Sequence, residues 1–250
     1  MKAKAATRAR LDVEMTRRGL AESRERAQRL ILAGLVRVNS RPADKPDLKV
    51  DAATDIAVLP TREYASRGAY KLLAALDHFA LDVTGRHALD AGASTGGFTD
   101  VLLRRGAAHV IALDVGYGQI AESLRNDPRV TVMDRTNIRL VTAEAMPYRP
   151  DLVVIDTSFI SLKLVLPAVI GLVATPADII ALVKPQFEVG KGNVGKGGVV
   201  RDDSLRRRAL AEVLEFAVSI GLEVTGSIES PITGPAGNRE FLALMRWSKG

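Results

Sequence analysis

The sequence predicts an α/β protein with a mostly parallel central sheet and an antiparallel C-terminal hairpin, preceded by a small α+β domain. Three observations predict this fold class. Beyond residue 66, short apolar runs alternate with amphipathic segments, which is typical of a parallel sheet covered by helices on both faces. The last two runs have no helix between them, so they should pair antiparallel. Before residue 60, two amphipathic helices lead into short alternating runs broken by turn residues.

Length and composition fit one large or two unequal domains. The 250 residues are 47% hydrophobic, which is enough to bury a substantial core. Cysteine is absent, so disulfides and thiolate metal sites are excluded. The N-terminus lacks the apolar core of a signal peptide, and no apolar run approaches the ~18 residues that a membrane helix needs. We therefore expect a soluble, cytoplasmic protein.

The positive charge is concentrated at the start of the chain. Residues 1–71 hold 16 Lys and Arg against 9 Asp and Glu, a balance of +7, while the other 179 residues hold 19 against 20, a balance of −1. A basic segment on an otherwise neutral protein is typical of a module that binds a polyanion, although an anionic membrane surface is a second possible partner.

The first predicted domain begins with two helices. RLDVEMTRRGL (10–20) and SRERAQRLILAG (23–34) carry apolar residues at helical spacing, with Ser23 as N-cap and Gly34 as stop of the second helix. Short strands are predicted within 35–46 and 47–60. The second helix separates its arginines from its apolar face, a pattern that an ordinary solvated surface explains equally well. These residues are Arg24, Arg26 and Arg29 against Ala27, Leu30 and Ile31.

The order of short motifs in this segment resembles a known RNA-binding domain. RLD, then SR at a helix start, then AG, VRVNS and KPDLKV are similar to the S-four fold shared by a ribosomal protein and bacterial pseudouridine synthases. The resemblance implies binding of structured RNA through phosphates, with Arg8, Arg10, Arg24 and Lys45 as preferred contacts. Aromatic residues are absent from 1–63, so readout of shape and phosphates is favoured over base stacking.

The second predicted domain opens with a helix over SRGAYKLLAALDHF (66–79). Apolar strands follow within 87–92, 109–116, 130–135, 151–159, 177–186, 222–230 and 239–247. The last two are joined by SPITGPAGN without a helix. A mostly parallel sheet with such a terminal hairpin is the pattern of Rossmann-like methyltransferases. We place an S-four-like RNA-binding domain at 1–60, a linker at 61–66 and a methyltransferase domain at 67–250.

A glycine-rich turn after the first long strand predicts a cofactor site. Glycines at this edge of a parallel sheet let a ligand approach the backbone, and the spacing G-x-x-x-G-G departs from the G-x-G-x-x-G of dinucleotide sites. Asp114, which ends the second strand, could bind the ribose of NAD as well as that of S-adenosylmethionine. Asp90 and Asp134 favour S-adenosylmethionine. Any one of these residues alone could serve only a turn. The predicted cofactor-binding residues are Asp90, Gly92, Ser94, Thr95, Gly96, Gly97, Phe98, Asp114 and Asp134.

Ionisable residues flank three later strands of the predicted sheet. Asp156 and Lys184 end two strands and Glu240 begins the last, while Lys71 lies on the helix before the first strand. We expect these four groups to meet at the ligand-binding edge of the sheet. Taken separately, each is explained as well by a solvated strand end or surface helix.

Together the motifs resemble one enzyme family over Arg10 to Trp247. The four residues are similar to the Lys-Asp-Lys-Glu set of FtsJ-like RNA ribose 2′-O-methyltransferases. With SRGAYKL, DAGASTGGFTDVLL, DVGYGQ, DTSFISL and KPQFEVG, the chain resembles the TlyA family, also called hemolysin A. This resemblance implies S-adenosylmethionine as cofactor and the 2′-hydroxyl of a cytidine in ribosomal RNA as substrate. It also implies ribosomal subunits as partners, with no metal and no membrane. One or both subunits could be modified, and the oligomeric state stays open.

The predicted chemistry assigns a role to each of the four residues. A ribose hydroxyl must lose its proton as it attacks a sulfonium methyl group, and a lysine accepts a proton only in its neutral form, which burial or a nearby cation favours. We expect Lys184 to be the general base and Lys71 to supply the nearby charge, while Asp156 and Glu240 orient the two amines. His78, His87 and His109 are scattered along the chain, and we expect them to be structural.

The stretch GKGNVGKGG (190–198) nearly matches a nucleotide-binding P-loop. Gly197 occupies the position of the hydroxyl that would hold Mg²⁺, and no helix start follows, so we reject triphosphate binding. Because the stretch follows Lys184 closely, we predict a mobile flap over the reaction centre, with an inert loop as the alternative. Lys191 and Lys196 could meet RNA phosphates there. Further RNA contacts predicted on this edge are Arg67, Arg135 and Arg139.

Two other functions compete with the enzyme. A binding-only protein would use the same RNA-binding domain without catalysis, which the intact four-residue set argues against. A membrane-lysing protein would match the hemolysin name, but the sequence lacks a convincing amphipathic basic helix or apolar span.

Overall fold

The computed structural model describes residues 8–32, 34–58 and 63–248. The chain divides into two compact units, Met1–Glu63 and Tyr64–Gly250. This division falls inside the predicted linker, of which residues 61 and 62 lie outside the described part. Among the residues that the structure describes, no helix is both long and apolar enough to span a membrane.

The described residues of the N-terminal unit form two helices and two small sheets. Strand β1 pairs antiparallel with β4, and β2 lies between β3 and β5. The predicted cap is confirmed, since Ser23 Oγ accepts the backbone N–H of Arg26 at 3.1 Å. Gly34 has a φ of +70°, and its N–H donates to the carbonyl of Ile31 at 2.9 Å, just beyond the end of the second helix. The elements are β1 Ala9–Arg10, α1 Leu11–Arg17, α2 Arg24–Leu32, β2 Val36–Val38, β3 Arg41–Pro42, β4 Lys49–Val50 and β5 Ile56–Val58.

The core of this unit lies between its two helices and the strands. The apolar face predicted for α2 is buried there together with Leu11 and Met15 of α1. The arginines of α2 stay outside this core. Burial of the apolar stripe of α2 therefore leaves Arg24, Arg26 and Arg29 on the surface of the unit.

The C-terminal unit is built on a seven-stranded sheet in the order β11-β12-β10-β9-β6-β7-β8. The pairs among β6 to β10 are parallel, and β12 lies antiparallel between β10 and β11. The predicted fold class, including the terminal hairpin, is confirmed. The elements are α3 Ala69–Phe79, β6 His87–Ala91, α4 Gly97–Arg104, β7 His109–Leu113, α5 Glu122–Arg125, β8 Val130–Met133, β9 Leu152–Ile155, α6 Leu162–Leu172, β10 Ala177–Val183, α7 Pro185–Glu188, α8 Asp203–Ser219, β11 Glu223–Glu229 and β12 Phe241–Trp247.

Hydrophobic clusters cover both faces of this sheet. Neighbouring residues of one strand belong to opposite clusters, as Leu89 and Ala88 of β6 do, because successive side chains alternate across the sheet. All four residues of β9 are fully buried, as expected for a central parallel strand. This double burial explains why the strands are continuous apolar runs.

The register of the strands determines which residues meet at one edge. Ala91 of β6 pairs with Ile155 of β9, so the residues after them, Gly92 and Asp156, are neighbours. Val183 of β10 pairs with Phe241 of the antiparallel β12, which brings Lys184 beside Glu240 at the same edge. Charged residues that are far apart in sequence are thereby gathered at the carboxyl ends of the parallel strands.

Candidate active site

The four ionisable residues predicted to meet do line a single cavity. Its volume is about 290 Å³, and its wall also contains the glycine-rich turn after β6 and the turn before β12. Lys71 reaches it from α3, and Asp156, Lys184 and Glu240 reach it from the ends of β9, β10 and β12. Two amines and two carboxylates therefore share one small space.

The first pair in this cavity is a buried ion pair. Lys71 Nζ lies 2.6 Å from Glu240 Oε2, and the two side chains are only 7% and 1% exposed. Gly234 makes room for the carboxylate, since a Cβ at that position would come within 2.5 Å of Glu240 Oε1. Because both charges are removed from water, each depends on the other for compensation.

The second pair includes a hydroxyl that the sequence analysis missed. Lys184 Nζ lies 2.6 Å from Asp156 Oδ1 and 2.8 Å from Ser158 Oγ, and it donates more weakly to the backbone carbonyl of Asp156 at 3.4 Å. Ser158 follows two residues after the acid that ends β9, and its place in DTS was the available signal. Three contacts with this chain fix the position of the Lys184 amine.

A second cavity of about 430 Å³ adjoins the first. Its lining is mostly apolar, and it shares Gly92, Ser94, Asp156 and Ser158 with the first cavity. The predicted residue Asp114 lines it and accepts the backbone N–H of Ser94 at 2.8 Å and of Gly116 at 2.7 Å. An acid at the end of β7 with this fixed orientation can accept hydrogen bonds from a polar ligand.

Gly92 is required where the two cavities meet. Its φ is +93°, and a Cβ would come within 2.7 Å of the backbone oxygen of Asp156. Glycine tolerates both the conformation and the approach, so the turn after β6 packs directly on the end of β9. Of the other predicted turn residues, Ser94, Thr95, Gly97 and Phe98 line the first cavity and Gly96 does not.

Asp90 and Asp134 line neither of these cavities, which differs from the direct cofactor contact we predicted. Asp90 is fully buried, and its Oδ2 accepts the backbone N–H and the hydroxyl of Thr99 at 2.9 and 2.7 Å, at the start of α4. Burial raises the pKa of this carboxyl to about 7. Asp134 accepts from Arg125 at 2.8 Å and from the N–H of Gly118 at 3.2 Å. Both acids hold backbone around the site.

Comparison with known proteins identifies both units. The FtsJ-like methyltransferase family matches residues 64–247, and the S4 domain, the S-four fold of the sequence analysis, matches residues 9–56. The chain belongs to the FtsJ-like methyltransferase family. The resemblance stated from the sequence is confirmed.

Full-length relatives share both units. The chain is 57% identical over 243 residues to a Mycobacterium tuberculosis protein named 16S/23S rRNA (cytidine-2′-O)-methyltransferase TlyA, covering 96% of this chain and 91% of that one. It is 39% identical to a Brachyspira hyodysenteriae protein named hemolysin A, covering 94% and 98%. A solved structure of a Streptococcus thermophilus protein that carries a hemolysin name superposes with a TM-score of 0.74 at 42% identity, covering 98% of this chain and 90% of that one.

The basic residues predicted to contact RNA have varied surroundings. Arg67 lines the first cavity and donates to the carbonyl of Thr233 at 2.7 Å. The guanidinium of Arg135 lies 4.2 Å above the ring centroid of Tyr117. Arg139 is exposed, as are Arg8 and Lys45, whereas Arg10 and Arg24 are ion-paired with Asp12. The side chain of Lys191 lies outside the described part of the structure.

The loop at residues 190–198 is folded differently from the predicted flap. It forms two short 3-10 turns, and no residue of it lines either cavity among those described. Its end is held by Asn238, which accepts the N–H of Val200 at 2.9 Å and donates to the carbonyl of Gly198 at 2.8 Å. The backbone continues in an extended conformation after the loop, so the rejection of a P-loop is supported by the lack of a helix there.

The histidines lie away from the two cavities. His87 and His109 begin β6 and β7, so they lie at the amino ends of these strands, whereas the cavities lie at the carboxyl ends. There, His109 Nδ1 and Tyr148 Oη are 3.0 Å apart. His78 packs edge-on against Phe79 in α3. Within residues 8–32, 34–58 and 63–248, no three histidine, aspartate or glutamate side chains are grouped so that they could hold a metal ion.

Proposed function

We propose that this protein transfers a methyl group from S-adenosylmethionine to the 2′-hydroxyl of a cytidine ribose in ribosomal RNA. Membership of the FtsJ-like family and the printed activity of the Mycobacterium tuberculosis relative support the reaction type and the substrate. The single observation that carries the proposal is the gathering of Lys71, Asp156, Lys184 and Glu240 in one cavity that adjoins a larger, mostly apolar one.

The larger cavity fits the nucleoside part of the cofactor. Its apolar lining suits a purine ring, and the Asp114 carboxylate provides the acceptor that ribose hydroxyls need. Gly92 and Ser94 connect this cavity to the one that holds the amines. When bound, S-adenosylmethionine supplies a methyl group on a sulfonium and leaves as the neutral thioether.

Lys184 acts as the general base in this proposal. The ribose 2′-oxygen forms a bond to the methyl carbon as the carbon–sulfur bond breaks, and the hydroxyl proton passes to Lys184 Nζ. Asp156 and Ser158 hold that nitrogen at 2.6 and 2.8 Å in the wall of the cavity. Such alignment removes the need to search for a productive geometry during the reaction.

Lys71 and Glu240 have a different role from Lys184 and Asp156. Their 2.6 Å pair is buried, so the Lys71 ammonium is held rigidly at one side of the cavity. There it orients the ribose and places a positive charge near the forming oxygen anion, where a fixed charge stabilises the transition state. Glu240 positions Lys71 and prevents an unpaired buried charge.

The N-terminal unit supplies the affinity for RNA. The S4 domain match and the balance of +5 over residues 1–63, with 14 Lys and Arg against 9 Asp and Glu, support ribosomal RNA as the partner. Arg8, Arg10, Arg24 and Lys45 of this unit are the proposed phosphate contacts, joined by Arg67, Arg135, Arg139 and Lys191 of the second unit. Phosphate contacts of this kind position a substrate without reading its sequence.

Methyl transfer to purified ribosomal subunits, measured with radiolabelled cofactor, tests the proposal. Lys184→Ala should lower the single-turnover rate by about 10²–10⁴-fold, since it removes the general base, with subunit affinity within about twofold of the parent protein. Lys163→Ala is the matched control. Lys163 makes a half-exposed pair with Glu212 at 3.1 Å, outside both cavities, so its removal should leave the rate unchanged.

Mapping the methylated position completes the experiment. A labelled cytidine at which alkali no longer cleaves the RNA backbone would support methylation of its ribose 2′-oxygen. Label found on a base, or transfer in Lys184→Ala that is as fast as in the parent protein, would contradict the proposed chemistry.

A further inference from the structure

One buried carboxylate holds two of the arginines of the N-terminal unit. Asp12 is 0% exposed. Arg10 donates to it through two nitrogens at 3.0 and 3.1 Å, and Arg24 donates through Nε at 2.9 Å. Gln28 adds a neutral hydrogen bond at 2.7 Å. Three side chains from β1 and α2 therefore converge on a single acid in the first turn of α1.

Each arginine keeps donors that Asp12 does not use. A guanidinium carries five N–H groups, and this carboxylate occupies two on Arg10 and one on Arg24. The side chains are 36% and 51% exposed, so the remaining groups are accessible to a ligand. Burial by itself would raise the pKa of the Asp12 carboxyl, but the hydrogen bonds from Arg10, Gln28 and Arg24 hold it well below its usual range.

We propose that Asp12 is a positioning residue that joins Arg10 and Arg24 into one phosphate-binding pair. The inference rests on the proposed function for the identity of the ligand, a structured RNA. Two guanidiniums that share no anion repel each other and move independently. Bridged by a buried carboxylate, they are fixed side by side before RNA arrives, so less ordering is needed on binding.

Charge counting makes the opposite prediction. Replacement of Asp12 by asparagine removes one negative charge next to the RNA-binding arginines, and long-range attraction to phosphates should then become stronger. If positioning dominates, the same substitution weakens binding. The sign of the change in affinity thus separates the two explanations.

Glu14 in the same helix provides a matched control. It is also buried, at 4% exposure, and also holds two arginines, Arg17 and Arg18, at 2.6 to 2.8 Å. Arg18 is further bound by the carbonyls of Asp51, Ala52 and Thr54, so its position does not depend on one acid. Glu14→Gln removes the same charge without releasing the proposed pair.

The experiment measures the affinity of the full-length protein for purified ribosomal subunits over a series of salt concentrations. Asp12→Asn should bind about tenfold more weakly, which corresponds to the loss of one well-placed charged hydrogen bond. Glu14→Gln should stay within about twofold of the parent. In Asp12→Asn the loss should appear as a higher subunit concentration for half-maximal methyl transfer, whereas Glu14→Gln should leave the rate of transfer unchanged.

Two further variants separate positioning from folding. In an Arg10→Gln, Arg24→Gln background, Asp12→Asn should cost no additional affinity, because the residues that it positions are gone. Gln28→Met removes only the neutral hydrogen bond to Asp12, so it should weaken RNA binding by a smaller factor than Asp12→Asn. This variant keeps the inference testable if Asp12→Asn unfolds the unit.

Binding by Asp12→Asn and Gln28→Met that is as tight as the parent's, or tighter, would overturn the inference. The inference would also be overturned if Asp12→Asn lost as much affinity in the Arg10→Gln, Arg24→Gln background as in the parent protein. Failure of the parent protein to bind subunits at all would instead remove the RNA partner of the proposed function.

Discussion

The buried carboxyl of Asp90 makes the stability of the C-terminal unit depend on pH. In the folded protein its pKa is raised to about 7, chiefly by burial, with the negative charges of Asp156 and Asp114 adding to the effect. In an unfolded chain the same carboxyl titrates near its ordinary pKa of 3.8. The folded state therefore holds a proton on Asp90 over a range where the unfolded state has released it.

The direction follows from this difference. Well below the unfolded pKa of 3.8 both states are protonated, and Asp90 has no effect on the pH dependence of unfolding. As the pH rises towards 7, the unfolded state is favoured by about 1.4 kcal/mol per pH unit, and above 7 the penalty is constant at about 4 kcal/mol. Between about pH 5.5 and pH 8, this single group should lower the free energy of unfolding by about 2 kcal/mol.

Asp90→Asn isolates the contribution of this group. The amide oxygen can still accept both hydrogen bonds from Thr99, while the amide cannot ionise. Urea unfolding of both proteins should be followed by the fluorescence of Trp247, which is the only tryptophan of the chain and lies in β12. Other groups titrate equally in both proteins, so the difference between the two pH profiles reports Asp90. Parallel profiles for parent and variant would mean that Asp90 is ionised in the folded state, and the reasoning would fail.

Two more substitutions follow from the geometry of the cavities. Glu240→Gln leaves Lys71 buried without its anion and should destabilise the C-terminal unit by about 3–5 kcal/mol. The Lys71→Met, Glu240→Leu double variant should cost less stability than the single variant, because it leaves no unpaired charge. A loss below about 1 kcal/mol in urea unfolding of Glu240→Gln would contradict this reasoning. Gly92→Ala adds a clash with the Asp156 backbone to the strain of a positive φ, so it should cost about 1–3 kcal/mol of stability and should also weaken cofactor binding. The control, Gly85→Ala, has a positive φ in open space and should retain cofactor binding in isothermal titration. Equal cofactor affinity of the two variants would refute the role of the clash.

The sequence was sufficient to predict that Asp156, Lys184 and Glu240 meet, because each flanks an apolar strand and parallel strands end at one edge. It was not sufficient to predict which amine pairs with which carboxylate. Whether Lys71 binds Glu240 or Asp156 depends on the register between β10 and β12 and on side-chain conformations that no periodicity encodes. Ser158 was missed for the same reason, since its hydroxyl matters only once Lys184 lies beside it.

Long-range hydrogen bonds explain the other differences between expectation and structure. The loop at 190–198 has the composition of a mobile flap, but Asn238 binds Gly198 and Val200 from about 40 positions away. Asp90 precedes the glycines as a cofactor ligand would, yet its carboxylate is used by Thr99 at the start of α4. Asp12 falls within the first predicted helix, and its hydrogen bonds to Gln28 and to two arginines outside α1 are not encoded in the helical spacing. Composition and spacing carry no information about such partners.

The charges within the proposed reaction centre nearly cancel. Lys71 and Lys184 each lie 2.6 Å from a carboxylate, so these four groups present no excess of positive charge to the substrate, whether Lys184 carries a proton or is the neutral base. Such a centre attracts a polyanion only weakly at long range, because the field of each ion pair falls off rapidly with distance. The attraction must then come from basic residues elsewhere, and residues 1–63, with 14 Lys and Arg against 9 Asp and Glu, supply it through an excess of +5. RNA affinity and proton removal are thereby assigned to different groups, which is why loss of Lys184 should slow transfer while subunit binding persists.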